Sequence, residues 1–127
     1  MCVLQKPIPK GIVWIASSKR DLKTFPEPVQ KAVGFALWGA QVGEKHENSK
    51  VLKGFGDAGV IEVIEDYEGD TYRAVYTVRF SEAVYVLHCF QKKSHRGSET
   101  PRGDLALVRK RLRDAELLHE EAKKGKH

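Results

Sequence analysis

Between Val60 and Gln91 lie three strand-like runs, Val60–Glu65, Thr71–Phe80 and Val84–Gln91, separated by two short turn signals, and the middle run alternates with a period of two. Side chains on a strand point alternately to opposite faces, so this pattern reads as consecutive β-strands. Val60-Ile61-Glu62-Val63-Ile64-Glu65 forms one strand with a buried face, and Glu68-Gly69-Asp70 is its hairpin turn. From Thr71 to Phe80, Tyr72, Ala74, Tyr76, Val78 and Phe80 share one side. Thr71, Arg73, Val75, Thr77 and Arg79 share the other. Ser81-Glu82-Ala83 turns the chain again, and Val84 to Gln91 is the next strand. Strands joined by turns this short make an antiparallel meander.

The flanking segments read as a strand and helices. Ile12-Val13-Trp14-Ile15-Ala16 is a short buried strand; Ser17 and Ser18 precede a short helix that Pro26 ends. Pro28 suits the first turn of a second helix, whose apolar face is Val29, Val33, Ala36, Leu37 and Ala40, with Gly43 as its stop. Val51 opens a short extended piece and a glycine turn before the meander. Thr100 is the expected cap, and Pro101 the first position, of a last helix faced by Leu105, Val108, Leu112, Ala115 and Ala122. The expected fold is α+β, in the order β-α-α-β-β-β-α. It has a small, twisted sheet, antiparallel or at most mixed, with two N-terminal helices and a C-terminal helix packed on one face. One domain covers residues 1–127, with 1–10 and 123–127 as flexible ends.

Composition narrows the class. No apolar run approaches the length of a membrane span, and Met1 to Lys10 lacks the apolar stretch of a signal peptide, so no membrane partner is expected. Cys2 and Cys89 form no CxxC pair, which points away from a disulfide framework and toward a cytoplasmic setting. The formal net charge is +5. The charge is also segregated: residues 57–70 hold six acids and no Lys or Arg, whereas residues 91–113 hold eight Lys and Arg against Glu99 and Asp104. A local excess of that kind favours a polyanionic partner, nucleic acid first.

Two familiar motifs fail on context. Gly54-Phe55-Gly56-Asp57-Ala58-Gly59 matches GxGxxG, but it leads into a strand rather than opening a helix, and Asp57 repels phosphate. It reads as a turn. The five histidines show no ligand spacing, and His88 and Cys89, adjacent on a strand, point to opposite faces. Neither a metal nor any other cofactor is expected, and His88 reads as a packed strand residue.

The remaining chemistry lies at one end of the meander. Folded about Ser81-Glu82-Ala83, Arg73 falls near residue 91, at the same end as Lys92 and Lys93. Cations gathered without acids invite an anion. A phosphodiester fits, with Arg as a planar fork and Lys as a compact charge. Together they would stabilise the dianionic state reached when an RNA 2′-OH attacks its own phosphate, without a metal. The plainer reading is that Arg73 pairs with Glu65 across the first hairpin and that the lysines are solvated.

The segment Val86-Leu87-His88-Cys89-Phe90-Gln91-Lys92-Lys93-Ser94, followed by Thr100-Pro101 and a basic helix, resembles the signature of phage-derived, HigB-like members of the RelE/ParE toxin superfamily. Thr71-Tyr72-Arg73-Ala74-Val75-Tyr76 resembles their Tyr-Arg strand, and Val51-Leu52-Lys53-Gly54 with Val60-Ile61-Glu62-Val63 resembles their Leu-Lys…Trp-Glu-Leu segment. Here Val60-Ile61 replaces the tryptophan, and the Tyr or His that acts near the C-terminus of some relatives has no counterpart. The resemblance implies a toxin of a type II toxin–antitoxin pair: an endoribonuclease that cleaves mRNA on the ribosome. It implies a cognate antitoxin, often with a helix-turn-helix, and contact with operator DNA only through the toxin–antitoxin complex. Arg73 would stabilise the transition state, Lys92 and Lys93 would orient phosphate and leaving group, and Lys53 would bind substrate phosphate, with Arg96 as a further RNA contact. Other branches of the superfamily leave two alternatives, a ParE-like gyrase-binding toxin and a non-catalytic phage-derived binding protein. Because Arg73 lies opposite Tyr72, Ala74 and Tyr76, Arg73→Ala is expected to leave the fold intact.

Overall fold

The computed structural model describes residues 9–92 and 99–125. The elements run β1 (Gly11–Trp14), α1 (Ser18–Lys23), α2 (Glu27–Gln41), β2 (Ser49–Val51), β3 (Val60–Tyr67), β4 (Asp70–Thr77), β5 (Ala83–Lys92) and α3 (Arg102–Lys124). They build one five-stranded sheet in the order β1-β5-β4-β3-β2. The meander β3-β4-β5 is antiparallel, and β1 pairs with β5 in parallel, so the sheet is mixed. This is the α+β class expected, with two N-terminal helices and a C-terminal one. The short extended piece at Val51 is the end of an edge strand, β2, paired with β3.

The β3–β4 hairpin closes through Glu68 and Gly69, at φ 48° and 86°. A two-residue hairpin turn of type I′ needs left-handed backbone at both positions, and glycine takes it without strain. The GxGxxG segment is the loop from β2 to β3. At Gly59, φ is 61°, and an added Cβ would stand 3.3 Å from the Arg79 backbone nitrogen, so the loop favours glycine there.

The helices do not share one face of the sheet. α1 and α2 cover one side, packing Leu22, Phe25, Val33 and Leu37 on Val63, Ala74, Tyr76 and Val86. α3 covers the other, with Val108, Leu112 and Ala115 on Val60, Val75, Leu87 and Phe90. The physical reason lies in the central strands. Every residue from Tyr72 to Thr77 and from Ala83 to Phe90 is buried, so both faces needed cover. The buried stripe of α3 ends on His119, while Ala122 is exposed.

A bulge in β5 sets which side chains face α3. Val75 pairs with His88, but Tyr76 pairs with Val86, so Leu87 is an extra residue. Val84, Val86 and Cys89 therefore face the α2 side, and His88 is turned toward α3. Without the bulge, strict alternation would put His88 beside Val86. The Lys10 N–H donates to Gln41 O at 2.9 Å, Gln41 Nε2 donates to Lys10 O at 2.6 Å, and α3 continues through Lys124. Among the described residues no helix is long and apolar enough to cross a membrane.

Candidate nucleic-acid interface

Arg73 stands in the middle of β4, opposite Ile64 on β3 and Phe90 on β5, on the face covered by α3. Glu62 faces the same way, opposite Val75, one step along the diagonal. Arg73 Nη1 lies 3.4 Å from Glu62 Oε1, with 2% and 0% of the side chains exposed. Thr100, just before α3, completes the group. Its hydroxyl donates to Glu62 Oε2 at 2.9 Å and accepts from Arg73 Nη1 at 3.4 Å. Lys50 of β2 approaches Glu62 Oε1 from the open side at 3.7 Å and is 42% exposed.

This geometry corrects four expectations. The cationic end of the sheet is not free of acid, because Glu62 neutralises Arg73 inside the protein. Glu65 cannot be that partner, because it pairs with Tyr72 and so faces the α2 side, where its Oε1 accepts from Asn48 Nδ2 at 3.1 Å. Thr100 is not a helix cap: α3 begins at Arg102, Pro101 precedes it, and the Thr100 hydroxyl is spent on the ion pair. Arg73→Ala is therefore not neutral to the fold. Removing Arg73 takes away the buried cation beside Glu62 and leaves it only the part-exposed Lys50 and the Thr100 hydroxyl, at a cost of up to about 3–5 kcal/mol.

Three lysines, Lys53 exposed and Lys50 and Lys92 half-buried, lie beside this buried group. Lys92 pairs with Thr71 at the end of β5, two residues along from Arg73, and its Nζ donates to Glu99 O at 2.7 Å. Lys93 and Arg96 lie outside the described residues. Lys50 and Lys53 line a cleft of about 410 Å³ together with Val51, Leu52, Glu99, Thr100 and Leu105. Next to it the Arg109 guanidinium sits 5.2 Å from the centre of the Phe55 ring. Lys53 is thus on an open, basic cleft, Arg73 is behind the cleft wall that Thr100 forms, and Lys92 is tied to the backbone of that wall through Glu99.

A second polar group lies deeper under α3. Arg111 Nη1 reaches His88 Nδ1 at 3.0 Å and Leu87 O at 3.0 Å, and His88 Nε2 meets Asp104 Oδ1 at 2.7 Å. A guanidinium only donates, so Nδ1 accepts and the ring proton sits on Nε2, given to Asp104. His88 is the packed strand residue expected, also stacked on Phe90 at 4.8 Å between ring centres. Cys89 faces the opposite side, and burial pushes its thiol up to about 12, which removes it as a nucleophile near neutral pH.

Sequence reasoning missed Glu62, Thr100 and Lys50. Glu62 had a readable signal. Once the turn is fixed at Glu68-Gly69, strand parity places Glu62 and Arg73 on one face. Lys50 and Thr100 arrive through loops, and no periodicity marks them.

Together these elements make a mixed sheet enclosed by helices, with a basic cleft where β2 meets the start of α3. Residues 20–113 match the family model described as Phage derived protein Gp49-like (DUF891). The chain belongs to this phage-derived family, the branch its sequence resembles. Among solved structures it is similar to a chain of the RelBE2 toxin–antitoxin complex from Mycobacterium tuberculosis. That match has 22% identity and a TM-score of 0.46, and covers 68% of this chain and 95% of that one. No curated protein matches it.

Proposed function

We propose that this chain is the toxin of a type II toxin–antitoxin pair, and that it stops translation by cleaving mRNA on the ribosome without a metal ion. The observation that carries the reading is the cleft, where Lys50 and Lys53 present charge to solvent beside Lys92 and the buried Arg73. The resemblance of residues 12 to 115 to the RelE/HigB signature supports it. In this reading Lys53 and Lys50 hold the phosphates on either side of the scissile bond. Lys92, with Lys93, orients the reacting phosphate and its leaving group, and Arg96 adds backbone contact. Arg73 supplies charge from behind; direct contact with the dianionic transition state requires Thr100 to swing off it. The ribosome supplies the surroundings that complete the site, and the setting is the cytoplasm. A cognate antitoxin with a helix-turn-helix restrains the toxin and carries the complex to operator DNA.

One observation favours a second reading, a non-catalytic binding protein on the same scaffold. Glu62 already satisfies Arg73, so a substrate phosphate must compete with a buried carboxylate. Pulse labelling of protein and DNA synthesis after induction separates the possibilities. Translation falls first for the ribonuclease, replication first for a gyrase-binding toxin, and neither for a non-catalytic protein.

A further inference from the structure

Helix α3 turns Val108, Leu112, Ala115 and His119 to the sheet. Its opposite ridge carries Lys110, Arg113 and Leu117, at i, i+3 and i+7, so the three side chains lie in line over about two turns. Leu117 is 65% exposed, and Leu107 and Leu118 flank the ridge at 38% and 46%. The charges on this face are unbalanced up to Arg113, whereas the exposed Glu120 and Glu121 follow Leu117. Asp104, the acid of the first turn, points inward to His88, and Arg111 points inward with it. Among the described residues no acid pairs with Arg102, Lys110 or Arg113, and the half-buried Asp114, which follows Arg113, bridges to neither Lys110 nor Arg113. The C-terminal half of α3 differs, with Arg79 on Glu116 at 2.7 Å and Glu82 on His119 at 3.3 Å.

Cations side by side on one helix face repel each other, and exposed leucines leave apolar surface in water. An RNA backbone would relieve the first and gain nothing from the second. A helix with acids on one flank and apolar residues along its centre relieves both. From this complementarity we infer that the outer face of α3 is a docking surface for an acidic amphipathic helical segment of a protein partner, laid along Lys110, Arg113 and Leu117. The face is turned away from the sheet, so the partner sits outside α3 rather than on its buried side. The inference depends on the proposed function only in giving a restraining partner a place and a chemistry.

The test uses the full chain and three labelled probes followed by fluorescence anisotropy. The first is a capped helical peptide of about 15 residues with a leucine stripe and glutamate flanks. The second is the same composition scrambled to destroy the stripe. The third is a single-stranded RNA with 2′-O-methyl riboses, which binds but cannot be cleaved. The amphipathic peptide is expected to bind about tenfold or more tightly than its scramble, and to weaken about tenfold with Lys110→Glu/Arg113→Glu and severalfold with Leu117→Ser. All three positions are exposed, so the thermal unfolding midpoint should be unchanged in the variants, which keeps the comparison clean. The inference is overturned if the amphipathic peptide fails to bind, binds no better than its scramble, or ignores both variants. RNA that binds more tightly than the peptide, is lost in the charge-reversed variant and ignores Leu117→Ser would assign the face to nucleic acid instead. The charge-reversed variant leaves the cleft untouched and should still halt translation. If the unaltered protein fails to halt translation while the peptide result holds, the proposed function falls and this surface stands.

Discussion

The two faces of the sheet are buried by different chemistry. On the α2 side the contact is almost entirely apolar, with Val33, Leu37 and Ala36 against Val63, Ala74 and Val86. On the α3 side the apolar packing shares the interior with Glu62, Arg73, Thr77 and His88. Hydrocarbon packing asks only for volume and shape and tolerates exchange of like for like. Buried polar groups must be paired one by one, and each pair ties particular residues together. Through Thr100 and Glu62 the start of α3 is fixed to β3 and β4, and through His88, Asp104 and Arg111 its first three turns are fixed to β5. One face holds the domain together; the other sets where the cleft wall stands.

The largest expected effect tests that division. Arg73→Ala should lower unfolding free energy by up to about 3–5 kcal/mol, read by urea denaturation, because Glu62 is left buried without its main partner. Leu37→Ala on the other face should cost about 2–5 kcal/mol through its cavity. Rescue distinguishes the two. Glu62→Leu combined with Arg73→Met should recover most of the loss, because an apolar pair of similar volume replaces an ion pair at little cost. A double variant as unstable as Arg73→Ala would break the comparison.

Thr100→Val should cost about 1.5–3 kcal/mol, since it removes a hydroxyl bonded to a buried carboxylate. The same change should speed amide exchange in the first turn of α3 while leaving α2 protected; equal protection at both would mean that Thr100 does not anchor the helix.

Next in size is an alkaline effect that belongs to the α2 face. Burial raises the Cys89 thiol from 9.0 to about 12 and the Tyr76 hydroxyl from 10.0 to about 12. Below pH 9 folded and unfolded chains both keep the thiol proton, and stability is unaffected. Above it the unfolded chain releases the proton first, so stability should fall by up to about 1.4 kcal/mol per pH unit for the thiol, with Tyr76 adding to the slope above its own ordinary value. Cys89→Ala should flatten the first part of that slope in denaturant titrations. An unchanged slope would place the alkaline sensitivity elsewhere.

The smallest effect on stability is expected at Lys53→Ala, within about 0.5 kcal/mol, because the side chain is exposed. RNA affinity should nonetheless drop and its salt dependence become shallower, as measured by filter binding across a salt series. Full affinity in this variant would remove Lys53 from the interface.

Much of the fold was readable because it rests on periodicity. The turn at Glu68-Gly69, the meander and the apolar stripes of α2 and α3 follow from spacing and turn chemistry alone. The second covered face was also written in Val60, Val75 and Leu87, but an unbroken apolar run says only that both sides are buried, not which helix covers each. The β5 bulge was silent, since one extra residue at Leu87 leaves no mark in composition yet reverses the facing of His88. For the candidate site, the position of Arg73 near the end of β5 was legible from hairpin arithmetic. Its neutralisation is legible only through the register, because strand parity about the Glu68-Gly69 turn puts Glu62, and not Glu65, on the face of Arg73. The place of Thr100 before Pro101 predicts a cap, but a tertiary contact with Glu62 takes its hydroxyl instead.

In the proposed function this cleft cleaves RNA with charges drawn from lysine and arginine alone. Mapping the RNA ends made by the purified protein on programmed ribosomes, in a chelator concentration that leaves ribosomes intact, tests it most directly. Cleavage should persist in chelator, with a 2′,3′-cyclic phosphate or 3′-phosphate on one fragment, a 5′-hydroxyl on the other, and no reaction where the cleaved nucleotide is a deoxyribose. Fragments bearing a 5′-phosphate, or intact message under these conditions, would contradict it.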